Sequence, residues 1–258
     1  MSVILITGAN QGIGYFLAEK LLLDNHHVMI IDKDIEQSLP LQHQFPDRLL
    51  IWQADVRYKD AILPAVQQAY KTFHKIDIAI HNACKCSFKS MEESSFEEYK
   101  DIFNVNYYGA LNLCKAVIPY MKKQHSGKII FTSSLVGTTG FFNISPYAST
   151  KGALESLAKC LNLEYKIRGI SFHIIHPPLT KTESASSLQV PDQFKIDAKK
   201  VGYGLAKNIF KKHFIICHNV FTKLQIKLSY LMPLKMGNML TEAIKRYIKS
   251  LSESDSCQ

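Results

Sequence analysis

Tyr147 and Lys151, four positions apart in the stretch Ser145-Pro-Tyr-Ala-Ser-Thr-Lys151, bring together a phenol and an ammonium. Such a pair can move a proton. A free tyrosine has a pKa near ~10 and gives up its proton reluctantly at neutral pH. One positive charge ~4 Å away contributes about 4 kcal/mol at an effective dielectric of ~20, about a thousandfold in acidity before desolvation opposes it. General acid–base catalysis works best when the group titrates near the working pH. The two side chains need a common face, and a helix supplies one, because positions i and i+4 are neighbours on its surface. Ser145 as a cap and Pro146 in the first turn predict that a helix starts here. The same spacing recurs at Tyr203 and Lys207, so spacing alone does not select the first pair.

A second constellation lies near the amino end. The apolar run Val3-Ile-Leu-Ile-Thr7 leads into Thr7-Gly-Ala-Asn-Gln-Gly-Ile-Gly14, where Gly8, Gly12 and Gly14 turn directly into a helical stretch. Glycines there let the backbone approach a pyrophosphate, and the helix N-terminus offers free N–H donors and a partial positive charge. A strand before and a helix after predict dinucleotide binding, with Asn10, Gln11 and Ile13 in the same loop. Asp32 ends the next apolar run, beyond the helical stretch that Gly14 opens. A carboxylate there accepts hydrogen bonds from an adenosine ribose and repels a 2′-phosphate. NAD is therefore the expected cofactor. Gln11 adds no cation to the loop, and Lys33 is the residue that could swing toward a phosphate.

The elements that must position these residues are legible as an alternation. Apolar runs at 3–7, 27–32, 49–56, 76–83, 127–134, 170–177 and 213–217 are separated by helical stretches. Near-continuous apolar strands spaced by helices predict a doubly wound parallel α/β sheet of Rossmann type, covered on both faces. With 258 residues, 47% of them hydrophobic, one domain over 1–258 is expected. Residues 1 to about 182 would carry cofactor binding and catalysis, and 183–250 a substrate-closing loop and basic C-terminal helices. The stretch 177–192 reads as a long loop of the kind that forms lids. No basic leader precedes the first strand, no apolar run has bilayer length, and the six cysteines show no framework spacing. A cytoplasmic, unprocessed chain with reduced thiols is expected.

The glycine loop, Asp55-Val56, His81-Asn82-Ala83-Cys84, Asn106, Thr132-Ser133-Ser134, Tyr147-x-x-x-Lys151 and Pro177-Pro178-Leu-Thr180-Lys-Thr182 together resemble the short-chain dehydrogenase/reductase family, from Val3 to about Thr182. Ser134 and Asn106 both precede Tyr147 at intervals typical of that family. At the interval that separates Ser134 from Tyr147, Tyr203 is preceded by Val190, which cannot donate a hydrogen bond, so Tyr203 and Lys207 are expected to be an ordinary helix pair. The resemblance implies that Tyr147 moves the proton to or from the substrate oxygen and that Ser134 hydrogen-bonds that oxygen. It implies that Lys151 holds the nicotinamide ribose and stabilises the phenolate, and that Asn106 anchors a relay water. Asp55, Val56, Asn82, Ala83, Pro177, Thr180 and Thr182 would line the cofactor. A small-molecule alcohol or ketone would be the substrate, and a homodimer or homotetramer the assembly.

Two residues depart from the pattern: Cys84 stands where the family commonly has glycine, and Pro178 where a glycine usually follows Pro177. They make a catalytically idle NAD-binding regulator the competing reading, against which the intact Asn106, Ser134, Tyr147 and Lys151 set speaks. His81, Cys84 and Cys86 are too few for a structural metal site, and no metal is expected.

The charge of +9 is concentrated near the carboxyl end, where residues 195–249 carry twelve Lys and Arg against Asp197 and Glu242. No nucleic-acid recognition motif accompanies them, and no nucleic-acid partner is expected. Within this stretch Phe221, Leu224, Leu228 and Leu231 recur at helical spacing, Lys223 and Lys227 lie off that stripe, and Pro233 ends the run. Such a helix either packs its stripe on the core or serves a lipophilic substrate and a peripheral contact of 219–249 with an anionic membrane.

Overall fold

The apolar runs become the strands of a single sheet. In the computed structural model, which describes residues 1–188 and 190–255, the chain runs β1 (Val3–Thr7), α1 (Gly12–Leu23), β2 (His27–Asp32), α2 (Leu39–Gln44), β3 (Leu49–Gln53), α3 (Lys59–Phe73), β4 (Ile78–His81), α4 (Phe96–Phe103), α5 (Gly109–Gln124), β5 (Gly127–Thr132), α6 (Ser145–Tyr165), β6 (Ile170–Ile175), α7 (Ala198–Asn208), β7 (Ile215–Ile216), α8 (Val220–Leu231) and α9 (Pro233–Asp255). The sheet has the order β3-β2-β1-β4-β5-β6-β7, and all its pairings are parallel. This is the doubly wound Rossmann-type domain that the alternation predicts.

Side chains alternate across a strand, so a sheet covered on both faces needs apolar residues at every position. Leu5 of β1 faces a core containing Ile62, Val66, Val117 and Leu154 from α3, α5 and α6. Ile4 and Ile6 face another containing Leu17, Leu21, Val201 and Leu205 from α1 and α7. Each fully buried side chain of this kind stabilises the fold by about 1.5–3 kcal/mol.

Strand order reverses between β1 and β4, and in open parallel sheets the crevice beyond the strand ends at that point is where ligands bind. Most of the apolar runs outlast their strands. Residues 54–56, 82–83, 133–134 and 176–177 leave the sheet at its carboxyl ends and curl into that crevice. The connection from α4 to α5 is a π-turn, Asn104–Tyr108, which carries Asn106.

One local expectation is corrected, and one open choice is narrowed. Ser145 is the first residue of α6 rather than its cap; Ile144 precedes the helix without a side-chain cap, and the Ser145 hydroxyl lies 2.7 Å from the Tyr99 phenol oxygen. In α8 the apolar stripe does not pack on the core: Phe221 is 75% exposed, Leu224 65% and Leu231 78%. The inward face is instead Thr222, Ile226 and Ser229. Cys257 lies outside the described residues; the other five cysteines are free.

Candidate active site

The glycine loop is built by close packing. Gly8 has φ +68°, and a Cβ placed on it would stand 2.4 Å from the Ala83 Cα. A Cβ on Gly14 would stand 2.3 Å from the Gly8 carbonyl oxygen. Only glycine fits either position, the first because of its left-handed backbone and the second because of the contact. The Asn82 side chain donates to the Gly8 oxygen at 2.6 Å, and the Thr132 hydroxyl donates to Asn82 Oδ1 at 3.3 Å, tying the loop to the ends of β4 and β5. Gln11 precedes α1 in an extended conformation and makes no side-chain cap. The first N–H groups of α1 thus have no side-chain acceptor, as an anion-binding helix end requires.

Asp32 at the end of β2 accepts from Asn10 N at 2.9 Å and Asp34 N at 3.3 Å. Burial raises its carboxyl pKa, and these backbone N–H groups oppose the rise. Lys33 pairs with Asp34 at 3.6 Å, and both line the cleft beside Asp32. Asp55 is held by Arg57 at 2.7 Å, and Arg57 also reaches Asp101 at 3.1 Å.

Tyr147 and Lys151 share one face of α6. Lys151 is 1% exposed; its Nζ donates to the Thr132 carbonyl at 2.8 Å and lies 5.3 Å from the centroid of the Tyr147 ring. The Tyr147 phenol is held well above its usual pKa, first by burial and then by the facing Cys84 and Cys86 sulfurs, while hydrogen bonding from Ser134 pulls the other way. The Lys151 ammonium sits over the ring and bonds a carbonyl, and burial is the larger influence on the phenol.

Asn106 is fully buried. Its Oδ1 accepts from Lys85 N at 2.8 Å, and its Nδ2 donates to Lys85 O at 2.9 Å and to Thr150 Oγ1 at 2.9 Å. The side chain therefore clamps the peptide between Cys84 and Cys86, whose sulfurs stand 3.8 Å apart. His81 takes no part in that pair; its Nδ1 meets Thr7 Oγ1 at 3.1 Å. Among the described residues no group of three or more His, Cys, Asp or Glu is placed to hold a metal ion.

These parts line one cleft of about 1150 Å³. Gly8, Asn10, Gln11, Gly12, Ile13 and Asp32 line one end, with Asp55, Val56, Asn82 and Ala83 beside them. Ser134, Tyr147, Lys151, Pro177, Thr180 and Thr182 line the rest, together with Cys84, Cys86 and Pro178. Gly14 and Asn106 stand behind the wall and shape it. The segment after β6 is fixed at its base, where Lys181 N and Ile196 O pair at 2.9 Å and Ile196 N and Leu179 O at 2.8 Å. The Thr180 hydroxyl donates to the Pro178 carbonyl at 2.7 Å. Tyr203 lies outside the cleft and donates to Glu19 Oε2 on α1 at 2.8 Å.

Sequence reasoning missed a buried polar cluster next to the site. Glu155 of α6 accepts from Ser133 Oγ at 2.9 Å on Oε1 and from the Tyr230 phenol at 2.5 Å on Oε2, with His176 Nε2 3.5 Å from Oε1. Glu155 follows Lys151 by one helical turn, a neighbour spacing that marks it in retrospect. The cluster fastens α8 beside the cleft, and Thr138 Oγ1 adds a bond to Ser229 Oγ at 2.9 Å.

The family model described as short chain dehydrogenase matches residues 2–192. An uncharacterized oxidoreductase of Bacillus subtilis is 31% identical over 185 residues, 70% of this chain and 65% of that protein. A fatty acyl-CoA reductase of Acinetobacter baylyi is 29% identical over 185 residues, 70% of this chain and 63% of that protein. The chain spans less than two thirds of the length of these two curated relatives. Among solved structures, a gluconate 5-dehydrogenase from Burkholderia cenocepacia in complex with NADP and tartrate superposes with a TM-score of 0.73 at 25% identity, over 81% of this chain and 87% of that one.

Proposed function

This chain belongs to the short-chain dehydrogenase family, and from that premise we propose that it is an NAD(H)-dependent oxidoreductase interconverting the CH–OH and C=O forms of a lipophilic alcohol or ketone. The observation that carries the reading is the approach of Ser134, Tyr147 and Lys151 in the cleft that also holds the glycine loop. Bound cofactor supplies or accepts the hydride, and the protein contributes position and electrostatics. The protonated Tyr147 is loaded as an acid for a carbonyl oxygen, which Ser134 orients. Lys151, over the ring, stabilises the phenolate that remains. Asn106 acts by positioning the Lys85 peptide, and as the anchor of a relay water. The relatives named above are a reductase, a dehydrogenase and an oxidoreductase, which favours catalysis over an idle regulator.

The solved relative binds NADP, so the preference for NAD rests on this chain's own Asp32 and on Lys33 being turned toward Asp34. The lipophilic substrate rests on the cleft mouth, where Leu188, Phe194, Phe221, Leu240 and Ile244 converge, and the acyl-CoA reductase among the relatives supports it. The exposed α8 stripe, flanked by Lys223 and Lys227, suits an anionic membrane surface from which such a substrate enters. No helix among the described residues is long and apolar enough to cross a membrane. The reading includes a cytoplasmic homodimer or homotetramer, which sedimentation would test.

The test is a substrate screen with NAD+ and NADP+, followed by absorbance of the reduced cofactor. Rates should rise with alcohol chain length and be higher with NAD+. A preference for small polar alcohols, with no co-sedimentation on anionic vesicles, would remove the lipophilic half of the reading. A preference for NADP+ would remove the cofactor half.

A further inference from the structure

Cys84 and Cys86 face into the cleft from one short loop, their sulfurs 3.8 Å apart. The loop is held from behind, since Asn106 pins both polar groups of the Lys85 peptide that joins them. The Lys85 side chain pairs with Asp101, which lines the same cleft. Neither cysteine is fully buried. The Cys84 thiol is lowered to about 6, first by hydrogen bonding from Cys86 and then by the charge of Lys151, against burial. Cys86 moves up, as the proton-holding member of the pair. An attacking thiolate with a protonated resolving thiol in contact range, beside a cation and open to solutes, is the arrangement that redox-reactive cysteines use.

The geometry points to a modification site: Cys84 and Cys86 form a reversible dithiol whose oxidation by a hydroperoxide switches off the active site proposed above, on which this inference rests. The Cys84 thiolate attacks the peroxide, the O–O bond breaks, and the products are a Cys84 sulfenic acid and, after protonation, water or an alcohol. The Cys86 sulfur then attacks the Cys84 sulfur, the S–O bond breaks and water leaves. The two thiols lose two electrons and two hydrogens to the peroxide. Closing the bond draws the sulfurs from 3.8 Å to about 2.05 Å. This pulls on the clamped Lys85 peptide and removes the Cys84 thiolate from beside Tyr147 and Lys151. A dithiol reductant restores both thiols.

The test uses the full chain, reduced, freed of reductant and treated with hydrogen peroxide at near-stoichiometric concentration. Trypsin cuts after Lys75, Lys85 and Lys89, so the two cysteines fall on separate fragments. The expected result is that fragments 76–85 and 86–89 remain joined until reductant is added. They should become joined several-fold faster than the exposed Cys160 of the same chain is oxidised. Turnover should fall in step and return on reduction. Cys86→Ser should stop at a Cys84 sulfenic acid that dimedone captures, with no joined fragments. Fragments that stay separate in a protein with measurable turnover, or oxidation of Cys160 ahead of Cys84, would overturn the inference. Joined fragments with unchanged turnover would overturn the switch, whereas a reduced chain that turns over no alcohol or ketone would overturn the proposed function on which it rests.

Discussion

Replacing Asn106 by alanine tests how the site is held in shape. The substitution removes three hydrogen bonds, to Lys85 N, Lys85 O and Thr150 Oγ1, from a side chain with no exposure. Each contributes about 1 kcal/mol net. The Lys85 groups border the cleft and can be rehydrated, and Thr150 keeps its bond to the Tyr147 carbonyl at 2.7 Å. The sum therefore stays near ~3 kcal/mol rather than rising to the larger cost of orphaned buried groups. For a domain of this size about 1 kcal/mol lowers the melting temperature by roughly 2–4 °C, so a fall of roughly 6–12 °C is expected. Far-ultraviolet circular dichroism through a thermal ramp measures it. Asn106→Asp is the companion, because a carboxylate keeps the bond from Lys85 N but sets an acceptor against the Lys85 carbonyl and buries a charge; its melting temperature should fall at least as far as that of the alanine variant. A shift under about 2 °C for Asn106→Ala, less than a single lost bond would give, or an aspartate variant as stable as the parent, would refute the clamp.

Tyr147→Phe should retain NAD binding while turnover drops by several orders of magnitude, and Tyr203→Phe should keep turnover, as measured by cofactor fluorescence titration and by rate. Gly14→Ala, which drives a Cβ to 2.3 Å from the Gly8 oxygen, should abolish cofactor binding; an unchanged titration would remove the loop from the binding site. Glu155 has a folded-state pKa raised by burial, against bonds from Tyr230 and Ser133. The folded chain thus holds that proton more tightly than the unfolded one, and the associated stability is lost as pH rises from about 4.5 through the folded value. His176, lowered to about 4 by burial, is already neutral over most of that range. Glu155→Gln should therefore gain on the parent in urea midpoint as pH rises, and a constant difference would contradict the assignment. Asp32→Ala should bring the affinities for NAD(H) and NADP(H) closer together in paired titrations.

The parts of the site that the sequence made legible are those whose geometry is local. Gly8, Gly12 and Gly14 announce their turn because no other residue tolerates it, and Tyr147 and Lys151 share a face because a helix puts them there. The parts that stayed hidden depend on contacts between distant segments. Nothing near Cys84 says that Asn106, in the turn between α4 and α5, will fix its loop and bring Cys86 alongside. The α8 stripe has the same period whether it faces in or out; Glu155 and Thr138 decide the matter by bonding Tyr230 and Ser229 on the opposite face. Spacing likewise shows that Lys151 is near Tyr147 but not that its ammonium bonds the Thr132 carbonyl.

The π-turn at Asn104–Tyr108 amounts to a single extra residue inserted into what would otherwise be one long α-helix. Deleting one residue such as Val105 would restore ordinary register, and everything on one side would rotate by about a quarter turn relative to the other. The shortened helix would gain regular backbone bonds and lose Asn106 from behind the cleft. A lineage that drops this residue would regain ordinary helical bonds but forfeit the clamp on Lys85 and turn the apolar face of α5 away from the core, so the insertion is held in place by folding as well as by the shape of the cleft.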